Sequence, residues 1–295
     1  MVSTLFTRDG RALTYAQHGD PGGRPVFVMH GTPGSRIGPI PRASRLYLQG
    51  VRLIAYDRPG YGGSDRLPGR AVAHAAGDVA ELADALEIER FAVVGRSGGA
   101  PHALACAALL PERVTRAAAL VACGPYTLMG PHWYDGMTAS NVREYSTAEA
   151  GPEALEAYLG AQVRAIRADP EAHLPFDRND LVRPDRMVMA DYGIRGLLFD
   201  NFREALRLTP YGWIDDSLSL VRPWGFDPAA VRVPVRLWHG AEDIYAPVAH
   251  TRWLARRIPG AEMVIQPEVG HFASIEVLPR TLSWLVADGP GVRRE

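Results

Sequence analysis

Four short, nearly continuous apolar runs alternate with helix-like stretches, and this alternation narrows the fold more than any other feature of the chain. The runs are RPVFVMHG (24–31), VRLIAYDRPG (51–60), RFAVVGRSGG (90–99) and RAAALVACGP (116–125). A strand with no polar face is covered on both sides, as in a parallel sheet with helices packed above and below it. The intervening AVAHAAGDVAELADAL (71–86) and APHALACAALL (100–110) are rich in alanine and leucine and predict helices. Strands alternating with helices predict a three-layer α/β architecture. Ahead of them, TLFT and ALTYAQHG flank Asp9 and Gly10 and predict a hairpin.

Between residues 125 and 228 the texture changes. Strong strand runs are lacking, helix-like segments occupy 152–168 and 196–208, and aromatics are frequent, Trp133, Tyr134, Tyr192 and Trp213 among them. The strand and helix pattern then resumes with VRVPVRLWHG (231–240), a helix at 248–258, the strand AEMVIQPEVGH (261–271) and a last helix at 274–286. The expected organisation is a core made of 1–124 and 229–295, interrupted by a helical cap at 125–228. Only GPGVRRE at the end reads as a loose tail.

Several function classes are disfavoured by composition. The chain contains 295 residues with a formal net charge of -1, which supplies no electrostatic reason to bind nucleic acid or an anionic membrane. No basic end followed by an apolar stretch opens the sequence, and no apolar run is long enough to span a bilayer, so a cytoplasmic location is expected. The two cysteines, Cys106 and Cys123, lie in apolar segments and read as small buried residues without a disulfide. All 32 basic residues are arginine. That removes a lysine Schiff base, a serine and lysine dyad, and a phosphate loop that depends on lysine. Neither HExxH nor paired CxxC occurs, so no metal site and no cofactor is expected.

The stretch VVGRSGGAP (93–101) places Ser97 where a buried strand hands over to a helix. A turn that sharp needs small neighbours, which Gly95, Gly98 and Gly99 provide. The helix start beyond it aims free amides at developing negative charge. A serine hydroxyl needs a base that a third group orients. His271, after the last strand, is the candidate base. Asp243, after the preceding strand, is the candidate acid, with Glu242 as its rival. Of the other histidines, His30 is expected to brace the oxyanion turn, His102 to pack in its helix with Cys106, and His239 to pack or stand behind the site. Two oxyanion donors are expected, the amide of Gly98 and that of Thr32 in the turn HGTPGS (30–35).

In the order VMHGTPGS, YDRPGYGGSD, VVGRSGGAPHALA, RLWHGAEDIYAP and EVGHFA, the sequence resembles the α/β hydrolase fold superfamily over nearly all of the chain outside the cap. The order Ser97, Asp243, His271 matches that family and differs from that of chymotrypsin-like or subtilisin-like enzymes. The resemblance implies an eight-stranded, mostly parallel sheet, a nucleophile elbow at Ser97, and a pocket between core and cap. Serine at this position sets aside the related dehalogenases, which place aspartate there.

The chemistry expected is hydrolysis of a carboxylic ester of a small molecule through an acyl-enzyme. A cofactor-free lyase or cyclase, a carbon–carbon bond hydrolase, an aminopeptidase similar to proline iminopeptidases, and a binding protein on a retired scaffold remain alternatives. Trp133 and Tyr134 of the cap are candidate substrate contacts. Arg96, beside the nucleophile, is a candidate partner for a substrate carboxylate or phosphate, although an ion pair with Asp57 or Asp65 is the more economical reading. The sequence carries no mark of an oligomeric state.

Overall fold

The computed structural model describes residues 2–169 and 173–287, and the expected tail GPGVRRE lies outside them. Eight strands form one sheet: β1 (Val2–Phe6), β2 (Ala12–Gly19), β3 (Arg24–Met29), β4 (Val51–Tyr56), β5 (Phe91–Arg96), β6 (Val114–Leu120), β7 (Val235–Gly240) and β8 (Glu262–Gln266). Their spatial order is β1-β2-β4-β3-β5-β6-β7-β8. The pairs β1–β2 and β2–β4 are antiparallel and all others are parallel. The expected hairpin is present, with Leu5 opposite Leu13 and Gly10 turning at a φ of 86°.

Alternation along β5 shows why these strands read as apolar on both faces. Val93 joins a cluster with Phe27, Ile54, Val79 and Leu104, whereas Val94 points the other way, to Leu46, Leu278 and Leu282. The first face is covered by α2 (His74–Ala85), α3 (Ala100–Leu109) and α10 (Val248–Arg257), the second by α1 (Ala43–Leu48) and α11 (Ser274–Leu285). The chain is therefore the expected three-layer α/β structure.

Between β6 and β7 the described residues run through α4 (Tyr126–Met129), α5 (Ala139–Ala150), α6 (Pro152–Ala168), α7 (Arg183–Ala190), α8 (Tyr192–Ala205) and α9 (Tyr211–Val221). Helix α6 has the expected bounds, with proline in its first turn. Helix α8 begins four residues before its expected start, because Asp191 caps it by accepting the amide of Ile194 at 2.9 Å. Strand β7 starts only after Pro234, which lacks the N–H that the ladder needs. No helix among the described residues is long and apolar enough to cross a membrane.

Candidate active site

Strand β5 ends at Arg96, and Ser97 follows at a φ of +55°, a conformation rare for a residue with a side chain. The turn tolerates nothing larger around it. A Cβ on Gly95 would collide with the carbonyl of Gly99, one on Gly98 with the side chain of Thr32, and one on Gly99 with the carbonyls of Met29 and His30. Crowding of this kind lifts the serine out of the strand line and onto a cavity of about 60 Å³. His271 lines the same cavity.

The loop after β7 carries Asp243, wholly withdrawn from solvent, and the loop after β8 carries His271. Asp243 Oδ2 accepts the Nδ1–H of His271 at 2.8 Å, while Oδ1 accepts the amides of Tyr245 and Ala246 at 2.9 and 3.0 Å. Burial alone would raise the pKa of Asp243. Interaction with His271 and hydrogen bonds from His239 and His271 override it and hold the carboxylate well below its ordinary range. Because Nδ1 carries the proton, the lone pair of His271 sits on Nε2. Among the described residues neither that nitrogen nor Ser97 Oγ has a hydrogen-bond partner, which leaves both open to the cavity. The rival acid, Glu242, is exposed and points to another surface.

Thr32 follows β3 and touches the elbow through its side chain. Its loop is braced from behind. Arg58 donates from Nη1 to the carbonyl of His30 and from Nη2 to that of Gly31, the latter at 3.1 Å. His30 Nε2 accepts the amide of Arg58 at 3.1 Å, so its Nδ1–H donates to Gly31 O at 2.8 Å. With carbonyls of this loop turned toward Arg58, the Thr32 amide lies beside Gly98 and has no acceptor among the described residues. A carbonyl oxygen that gains negative charge can be stabilised between two such donors.

A family model described as alpha/beta hydrolase fold matches residues 24–277. The chain belongs to the α/β hydrolase fold family. A putative carbamate hydrolase of Caulobacter sp. (strain K31) is 29% identical over 273 residues, 90% of this chain and 90% of that protein. The dihydrolipoyllysine-residue acetyltransferase component of the acetoin cleaving system of Pseudomonas putida is 26% identical over 288 residues. That match takes in 94% of this chain and 66% of the relative, so the chain spans just under two thirds of the relative's length. The crystal structure of an enol-lactonase from Burkholderia xenovorans LB400 has the same fold, with a TM-score of 0.70 at 20% identity over 97% of this chain and 100% of that one.

Relative to this family's common elements, the helical insert brings the residues that the sequence did not single out. Glu144 of α5 lines the cavity that holds Ser97. Its Oε1 accepts from Trp213 Nε1 at 2.9 Å and Ser217 Oγ at 2.6 Å, and burial pushes its pKa up to about 7. Asp185 of α7 is fully buried and accepts the amides of His271 at 3.1 Å and Phe272 at 2.8 Å. Asp216 of α9 accepts from Arg58, from Tyr61 Oη at 2.9 Å and from Thr32 Oγ1 at 2.5 Å, and pairs with Arg70 at 2.6 Å. Asp216 stands in an apolar helical stretch, YGWIDDSLSLV, whereas Glu144 and Asp185 lie in polar segments that carry no such signal.

Three sequence expectations need correction. Trp133 and Tyr134 do not line the cavity. Trp133 is fully buried, gives its Nε1–H to Gly124 O at 2.6 Å and packs among Tyr126, Tyr145 and His250, while Tyr134 Oη bonds Glu149. Trp133 thus packs the insert on α10, and Tyr134 packs against Trp133 and Tyr126 within the insert. Arg96 pairs with neither Asp57 nor Asp65: Asp57 is taken by Arg36, and Asp65 by the amide of Ala12. His239 does stand behind the site, its Nε2 lying 3.2 Å from Asp243 Oδ2, and His102 gives its Nδ1–H to Gly98 O at 2.8 Å.

Proposed function

We propose that the protein is a serine hydrolase that cleaves a carboxylic ester or related acyl bond of a small molecule through an acyl-enzyme. The observation that carries this reading is Ser97, held at positive φ on the same cavity as a histidine whose far nitrogen is already committed to a buried carboxylate. Ser97 Oγ attacks the acyl carbon as its proton passes to His271 Nε2, and Asp243 stabilises the imidazolium that forms. The amides of Thr32 and Gly98 hold the oxyanion. His271 then protonates the departing alcohol. In the second half, water gives a proton to His271 and hydroxyl to the acyl carbon, the bond from that carbon to Ser97 Oγ breaks, and His271 returns the proton to Oγ as the acid leaves.

The helical insert acts as the cap over this pocket, and a cytoplasmic enzyme with a small-molecule substrate fits the scheme, which requires no cofactor. An aminopeptidase reading gains a carboxyl from Glu144, but Arg96 on the same cavity repels an ammonium, and the ester reading is preferred. Ser97→Ala is expected to abolish turnover of short acyl esters, and a fluorophosphonate is expected to label Ser97 in the native protein and not in His271→Ala. Full esterase activity in Ser97→Ala would remove the assignment.

A further inference from the structure

Among the described residues the buried arginines meet acids, whereas Arg96, at the end of β5, is partly exposed. Arg36 pairs with Asp57 and Glu204, Arg58 with Asp216, and Arg70 with Asp216. Arg96 forms no ion pair among the described residues, and its one hydrogen bond there runs from Nη1 to Ser274 Oγ at a long 3.3 Å. That hydroxyl is itself committed as a donor to His271 O at 2.7 Å. The nearby acids are engaged elsewhere: Asp243 by His271 and two amides, Asp185 by the amides of His271 and Phe272. They act on Arg96 only at a distance, and desolvation, the larger effect, pushes its pKa down to about 10. It remains a cation at neutral pH, with most of a five-donor fork unused.

The side chain lines two cavities, the one that holds Ser97 and His271 and a neighbouring one of about 30 Å³. The guanidinium has no protein carboxylate among the described residues and opens onto the cavity that holds Ser97 and His271. We propose that Arg96 binds a carboxylate carried by the substrate's own acyl group, so that the preferred substrates are esters of short dicarboxylic acids. A planar fork beside the nucleophile fits a carboxylate with paired hydrogen bonds, and the small cavity favours a chain of few carbons. The assignment rests on the hydrolase reading for the bond that is cut, but not for the charge that is bound.

The test compares monoethyl succinate with ethyl butanoate, which replaces the carboxylate by a methyl group, through their kcat/KM values. The native enzyme is expected to favour the succinate by about tenfold or more, as a charged hydrogen bond warrants. In Arg96→Met that ratio collapses toward about one, and in Arg96→Lys part of it survives because the point charge remains. Arg96→Gln reads the same ratio where the methionine variant does not fold. A native preference for the butanoate, or a ratio that Arg96→Met leaves intact, overturns the proposal. Should neither ester be cleaved, the hydrolase reading is what fails, and binding then decides. At about 10 mM, succinate is expected to raise the melting temperature of Ser97→Ala and not that of Ser97→Ala combined with Arg96→Met. Equal shifts, or none, overturn the anion site.

Discussion

Among the described residues Glu144 forms no ion pair. It faces Trp213 and Ser217 of α9, both as donors to Oε1, and the like charge of Asp216. Its folded pKa, about 7, stands above the ordinary 4.5 because burial penalises the charged form most. The native state therefore holds this proton more tightly than the unfolded chain does. Its contribution to stability is complete below about pH 4.5, declines as pH rises between 4.5 and 7, and is gone above that. The whole effect is about 3 kcal/mol. Glu144→Gln keeps an acceptor for both donors without the titration, so its gain in melting temperature over the native protein is expected to be larger at pH 8 than at pH 5 by calorimetry. Equal gains at both pH values would contradict the buried titration. Arg96 teaches the complementary lesson: a residue adjacent in sequence to the nucleophile has its meaning set by which acids fail to reach it.

At the scale of elements, α7 and the loop after β8 act as one unit. Asp185 lies in the first turn of α7, and its carboxylate is so close to the loop that a Cβ on Gly270 would sit 2.5 Å from it. Two loop amides that would otherwise be buried without acceptors end on this one side chain. The imidazole is thus aimed from both ends, by Asp243 on its ring and by Asp185 on its backbone. Under the proposed mechanism, loss of either shifts the base away from hydrogen-bond reach of Ser97. Asp185→Ala is expected to lower kcat by about 10- to 100-fold with KM changed by less than about threefold, and Asp185→Asn to recover part of the loss, in steady-state ester kinetics. A variant whose KM rises while kcat holds would place Asp185 in substrate binding instead.

For the whole molecule, the joint between insert and core is a buried charge cluster rather than an apolar seam alone. Asp216, fully buried, gathers two arginines, a tyrosine and Thr32 from the core loops. Burial works against its charge, but Arg58 and then Arg70 hold its pKa well below the usual range. Removing the acid strands two guanidinium groups. Asp216→Ala is expected to lose about 3–5 kcal/mol of stability in urea unfolding, a loss far above that of an exposed salt bridge. A change of about 1 kcal/mol or less would show that the cluster contributes little.

The strands, the flanking helices and the elbow around Ser97 were legible because they depend on short-range rules. Apolar runs, alanine-rich segments and the glycines of GRSGG act within a few residues, and Ser97, Asp243 and His271 follow the ends of β5, β7 and β8 in chain order. Side-chain partnership follows no such local rule. The bond from Thr32 to Asp216 crosses 184 positions and that from His271 to Asp185 crosses 86, so no periodicity announces them. Likewise Trp133 and Tyr134 read as pocket walls by residue type, yet Trp133 packs on His250 of α10 and Tyr134 packs on Trp133. Residue order thus carried the scaffold and the turn at Ser97, whereas packing of distant segments decided which charges are neutralised and left Arg96, on the cavity beside Ser97, without an acid of its own among the described residues.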